Sequence, residues 1–83
     1  MSKIIALDAG HGLNTPGKRC MKSLDPDQTR EWQLNDRIMD RLQQLLFEYD
    51  CNVIRTGDTT GVRDISLSSR VKAANNVKAD IFI

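Results

Sequence analysis

Ile4-Ile5-Ala6-Leu7-Asp8-Ala9-Gly10-His11-Gly12 is the stretch that decides how this chain folds. An apolar run halts at an acidic residue, and the single histidine of the chain then sits between two glycines. A short apolar run bounded by glycine is the pattern of a strand covered on both faces, as in a parallel sheet. Lys3 to Asp8 is therefore predicted to be a first strand. His11 falls on the loop beyond its C-terminal end, and in open parallel sheets the crevice beyond the strand ends is where ligands bind. An imidazole in that place is either a general base or a metal ligand.

Outward from this strand, residues 10–28 form a long loop containing Gly10, Gly12, Pro16, Gly17 and Pro26. A loop of that length without secondary structure is usually functional or mobile. Arg30 to about Tyr49 is predicted to be a helix, because Leu34, Ile38, Leu42, Leu45 and Tyr49 recur at steps of three and four. Asp27 and Thr29 are its candidate caps. Cys51 to Thr56 reads as a second strand, followed by a loop marked by Gly57, Asp58 and Gly61. A second helix runs from Ser66 or Ser68 to Val77, with Leu67, Val71, Ala74 and Val77 on one face. Ile81-Phe82-Ile83 opens a third strand.

The order β-α-β-α-β requires right-handed crossovers and gives an α/β fold. The expected architecture is a three-layer parallel, or mostly parallel, sheet with helices on both faces. No turn signal or capping glycine follows Phe82, so residues 1–83 are expected to be the N-terminal part of one catalytic domain that breaks off inside the third strand.

Composition narrows the function classes. A chain of 83 residues, 40% hydrophobic, allows one small domain. Its 12 Lys and Arg against 11 Asp and Glu leave a net charge of +1, without the basic stripe that nucleic-acid binding needs. No window approaches the roughly 18 apolar residues of a membrane span. The Met1-Ser2-Lys3 start has no signal-peptide apolar region. Cys20 and Cys51 lack metal-type spacing and read as a loop thiol and a small core residue.

Glu31 is the second informative residue. At about 100° per residue, seven positions return to within about 20° of the start, so Glu31 shares a helix face with Ile38. That face is expected to be the core seam, where an unpaired carboxylate would be costly and would call for a cation, a metal or several hydrogen bonds. An acidic residue in the first turn also meets the positive end of the helix dipole, which accounts for Glu31 without any ligand. In a βαβ unit, however, the first helix starts above the sheet edge that carries His11, so the two side chains can converge. Imidazole and carboxylate together suit zinc, which would need a third ligand from the end of another strand.

Gly12-Leu13-Asn14-Thr15-Pro16-Gly17-Lys18 has the glycine and lysine frame of a phosphate-binding loop. Arg19 stands where Ser or Thr would ligate magnesium, and Pro26 follows before any helix can begin. The nucleotide reading is therefore set aside, and Lys18, Arg19 and Lys22 are expected to decorate a solvated loop.

Several pieces in order resemble the N-terminal half of the zinc-dependent N-acetylmuramoyl-L-alanine amidases of bacterial autolysins and phage endolysins (amidase type 3). They are Leu7-Asp8-Ala9-Gly10-His11-Gly12, the Glu31-containing helix start, and Val53-Ile54-Arg55-Thr56-Gly57-Asp58. The last resembles a Thr-Arg-Asp-like turn, although here the arginine precedes the threonine. Leu67-Ser68-Ser69-Arg70-Val71-Lys72-Ala73-Ala74-Asn75 resembles the family's Leu-x-x-Arg…Ala-Asn helix. Ala79-Asp80-Ile81-Phe82-Ile83 is similar to the strand that continues into Ser-Ile-His.

The resemblance implies zinc as cofactor and peptidoglycan as partner. The reaction would be hydrolysis of the amide between N-acetylmuramic acid and L-alanine at the bacterial cell wall. It assigns His11 and Glu31 as metal ligands, with a second histidine and the general-base glutamate expected beyond Ile83. Asp8 is expected to orient His11 or to cap its turn. Trp32 is expected to pack on a loop or stack on substrate, and Arg70 to serve as a structural donor. Without a signal peptide, a phage endolysin, a mother-cell enzyme or a processed secreted protein all fit. The alternative is a non-catalytic fragment, or a degenerate module that binds cell wall or a partner. The 83 residues alone are expected to be inactive.

Overall fold

β1 (Lys3–Leu7) lies at the centre of a three-stranded sheet, which is why its apolar run shows no polar alternation. The computed structural model describes residues 3–83; Met1 and Ser2, on which the signal-peptide reading partly falls, lie outside the described residues. β2 (Cys51–Arg55) pairs parallel to one side of β1, with Ile5 opposite Val53 and Leu7 opposite Arg55. β3 (Ile81–Phe82) pairs parallel to the other side, with Ile5 opposite Ile81. The strand order is thus β2-β1-β3, with α1 (Glu31–Leu46) between β1 and β2 and α2 (Leu67–Asn76) between β2 and β3. The two connections run across the sheet in opposite directions, so right-handed crossovers place the helices on opposite faces.

Side-chain burial follows that layering. Ile5 and Leu7 point to one face and bury against Met39 of α1, with Leu42, Leu46, Cys51 and Val53 packed around them. Ala6 alternates to the other face and is fully buried, and α2 supplies the buried Ala74. The parallel α/β arrangement agrees with the expectation from sequence. Among the described residues no helix is long and apolar enough to cross a membrane. Both cysteines are free thiols.

The expected core seam of α1 is corrected. Ile38 is 59% exposed and Tyr49 69% exposed, and Leu34 and Leu45 also face outward. The packed stripe keeps the expected Leu42 but otherwise runs through Met39 and Leu46, each one residue on from Ile38 and Leu45. The apolar residues of α1 fill two adjacent stripes, and periodicity alone cannot say which one the sheet selects. Glu31 therefore does not project from the core, and burial gives no reason for it to need a partner.

The caps differ as well. Neither Asp27 nor Thr29 caps α1. Arg30 is the N-cap residue, and its amide donates to Gln33 Oε1 at 2.6 Å. Thr29 is held instead by Asp25, whose Oδ2 accepts from its amide and its hydroxyl. The helix ends at Leu46 rather than Tyr49, leaving Phe47 exposed. Of the two starts open to α2, Ser66 is the one the fold uses: it is the N-cap, accepting from the Ser69 amide at 3.2 Å.

Candidate metal site

The chain leaves β1 in a tight turn fixed from three directions. Asp8 donates its amide to Ile83 O at 2.7 Å, which prolongs the pairing with the third strand. Its Oδ1 accepts from the Gly10 amide at 2.9 Å, so Asp8 caps the turn. From α1, Asn35 Nδ2 donates to Ala9 O at 2.9 Å. Gly10 and His11 are successively left-handed, with φ of +72° and +54°. For a residue with a Cβ that conformation costs about 1–2 kcal/mol, so the surroundings must impose it on His11.

Glu31, the first residue of α1, comes to the same place. The loop between them is ordered rather than slack: Arg19 and Arg30 form an antiparallel bridge, and the Glu31 amide donates to Lys18 O at 2.9 Å. His11 Nε2 and Glu31 Oε2 stand 3.5 Å apart, the side chains 32% and 47% exposed. A tetrahedral zinc with nitrogen and oxygen donors at about 2.0–2.2 Å sets two donor atoms about 3.4 Å apart, so the pair fits as two of its ligands. The spacing also suits a weak ion pair between a protonated imidazole and the carboxylate. Among the described residues no group of three or more His, Cys, Asp or Glu side chains is gathered that could hold a metal ion.

The remaining residues singled out from sequence take other places. Asp8 does not reach the His11 ring; its Oδ2 is taken by Arg70 Nη1 at 2.5 Å. Arg70 is a structural donor as expected, with Nε bonded to Ile65 O at 2.9 Å. Trp32 packs on a loop, its ring so close to Gly61 that a Cβ there would meet ring carbons at 2.5 Å. Arg55, at the end of β2, faces α1 and pairs with Asp36 and Asp40.

The glycine and lysine loop is not a phosphate cradle. The Gly12 amide is taken by Thr15 Oγ1 at 2.8 Å and the Leu13 amide by Gly61 O at 2.7 Å. Amides consumed internally are not free to hold an anion.

Two contributors, Asn35 and Thr15, were not identified from sequence. Asn35 was invisible because a lone asparagine in a helix carries no pattern. The buried Thr15 hydroxyl donates to Asp64 Oδ2 at 2.7 Å, docking the first loop onto residues 61–64. Asp58 organises that second loop by accepting from Thr60 and from the Arg63 amide. The Thr60 hydroxyl, followed by the Thr60 amide, holds the Asp58 carboxyl below its ordinary value. The Thr29 hydroxyl does the same for Asp25. Thr-rich segments two to four residues after an aspartate are a legible turn signal for both.

His11, Trp32, Gly10, Ala9, Leu7 and Arg70 together line a shallow cleft at the C-terminal edge of the sheet. A family model described as N-acetylmuramoyl-L-alanine amidase matches residues 5–83. Comparisons with curated proteins and with solved structures found no match.

Proposed function

This chain belongs to the N-acetylmuramoyl-L-alanine amidase family, and from that premise we propose that residues 1–83 form the N-terminal part of a zinc-dependent peptidoglycan amidase domain. The family's substrate is the cell wall; the finer reading is cleavage of the bond between the muramic acid lactyl group and L-alanine. The observation that carries the metal reading is the approach of His11 Nε2 to Glu31 Oε2 at the end of the central strand.

His11, through Nε2, and Glu31, through Oε2, would hold the zinc. When bound, zinc polarises the scissile carbonyl and acidifies an attacking water. The chain's own residues do the rest of the positioning. The left-handed turn presents the imidazole edge to Glu31, and the helix start sets the carboxylate against it. Asp8 is occupied by Arg70 and Gly10, so it does not act as the proton-transferring base. That role falls to the glutamate expected beyond Ile83. Trp32 and the loop it covers wall the cleft on one side.

The test is zinc titration, with a chelator control, of the wild-type protein and of the His11→Ala and Glu31→Ala variants. Both substitutions are expected to weaken zinc binding, and to reduce release of free L-alanine amino groups from purified walls where the wild type is active. Unchanged zinc stoichiometry and affinity in both variants would sink the ligand assignment. The gathering of only two donors among the described residues favours one second reading, a wall-binding module without hydrolysis. Cosedimentation with walls and no amine release, at saturating zinc, would select it.

A further inference from the structure

The turn bearing His11 is gripped from α2 as well as from α1 and the sheet, and we infer that the Arg70–Asp8 pair is a positioning device that holds His11 against Glu31. The inference rests on the proposed reading of His11 and Glu31 as metal donors.

Four links lead from α2 to the imidazole. Arg70 is anchored by Nε on Ile65 O at 2.9 Å, so its guanidinium is not free to swing. Its Nη1 meets Asp8 Oδ2 at 2.5 Å. The other oxygen, Oδ1, accepts from the Gly10 amide at 2.9 Å. Gly10 then leads directly into His11, both in the left-handed region. The guanidinium also lies beside the turn itself, since a Cβ on Gly10 would stand 3.9 Å from Arg70 Nη1.

Burial makes this more than a surface ion pair. The Arg70 and Asp8 side chains are only 12% and 8% exposed. Removing the arginine leaves a carboxylate with little water to solvate it, and it must turn away to find a donor. Turning away releases the Gly10 amide, and with it the constraint that keeps His11 left-handed. A relaxed His11 swings its ring away from Glu31. Asn35 still holds Ala9 O from α1, so the turn loosens without detaching. α2 contributes no donor atom of its own here, yet it sets where one donor points. Residues that orient metal ligands in this way change metal affinity by about 10–100-fold when they are altered.

The experiment compares Arg70→Met, Arg70→Lys and Asp8→Ala with wild type and His11→Ala in the full chain. In the metal-free protein, NMR reads the nuclear Overhauser contact between the His11 ring and the Glu31 side chain, together with exchange protection of the Gly10 amide. Zinc titration reads affinity. Arg70→Met is expected to lose the contact and the protection, and to weaken zinc about 10–100-fold. Arg70→Lys is expected to restore much of each, because it keeps a cation on Asp8. Leu42→Ala lowers stability from the core and should leave the His11–Glu31 contact in place, which separates positioning from general destabilisation. Should Arg70→Met fail to fold, Asp8→Ala, which removes the acceptor of the Gly10 amide, gives the same readouts. Retention of the contact and of zinc affinity in a folded Arg70→Met or Asp8→Ala protein overturns the inference, as does equal impairment of the methionine and lysine variants. If His11→Ala leaves zinc binding unchanged, the metal reading fails, and the metal-free contact still reports on positioning.

Discussion

Gly61→Ala makes a demanding test of how the loops pack on α1. Gly61 has φ of +75°, and a Cβ there would lie 2.5, 2.6 and 2.7 Å from three Trp32 ring carbons. Two costs add. Forcing alanine into the left-handed region costs about 1–2 kcal/mol. Pushing a packed indole aside is an overpacking event costing about 1–3 kcal/mol. The sum, about 2–5 kcal/mol, is a large share of the roughly 4–12 kcal/mol available to a chain of this length. At about 4–8 °C per kcal/mol for a domain of this size, the midpoint should fall by about 8 °C or more.

Gly17→Ala is the matched control, because Gly17 has φ of +79° with nothing within 4 Å of a Cβ. It should show the backbone cost alone. Trp32 is the only tryptophan in the chain, so its fluorescence follows unfolding and also reports its own displacement. Gly61→Ala should shift the native emission to the red, whereas Gly17→Ala should not. Equal destabilisation by the two variants, or an unshifted spectrum in Gly61→Ala, would refute the packing argument. A Trp32→Ala background should erase most of the difference between them, as expected for neighbours that interact directly.

Two further outcomes follow from the same geometry. Asp58→Asn should lower the melting temperature at neutral pH, because the Thr60 hydroxyl holds the native carboxyl below its ordinary value of 3.8. A depressed carboxyl stabilises above its unfolded value and loses that contribution as pH falls through its folded value. The gap between wild type and variant should therefore begin to close near pH 3.8 and vanish only once the pH is below the lowered folded value, and a gap that widens on acidification would contradict the assignment. Arg55→Met should cost about 2–3 kcal/mol in urea unfolding, since it strands the mostly buried Asp36 carboxylate. Asp40→Asn, at a carboxylate that is 59% exposed, should stay within about 0.5 kcal/mol, and the reverse ranking would show that Asp36 is not the partner that matters.

The elements were legible because each has a local cause. An unbroken apolar run between a charged start and glycine is what a central parallel strand requires, and β1 is the central strand. The start of α2 was readable to within two residues, Ser66 or Ser68, because the hydroxyl that caps it accepts locally, from three residues on. The face of α1 was only partly legible, because Leu42 belongs equally to a stripe with Leu34, Ile38 and Leu45 and to one with Met39 and Leu46. Only the position of the sheet chooses between them. Asp8 shows the same limit. From sequence its nearest partner is His11, while in the fold an arginine 62 positions away takes the oxygen. Long-range partners of charged residues are set by topology, and a single sequence carries no local trace of them.

The convergence of His11 and Glu31 depends on features at two scales. Strand order supplies the coarse one: with β1 between β2 and β3, the ends of both crossovers pass over its C-terminal edge, bringing Asn35 from one layer and Arg70 from the other. The fine one comes from the loop expected to be functional or mobile. Its Arg19–Arg30 bridge and the bond from the Glu31 amide to Lys18 fold the chain back on itself, so the helix starts beside the turn it left. Thr15 then ties that loop to Asp64, and Arg30 Nη1 ties its own strand to Thr15 O at 2.7 Å. The nineteen residues between His11 and Glu31 are thereby closed to a 3.5 Å approach, with α1 held on the sheet by the core. The acidic residue on α1 was informative for a reason other than burial: it stands at the one helical position that the returning loop delivers to the end of the central strand.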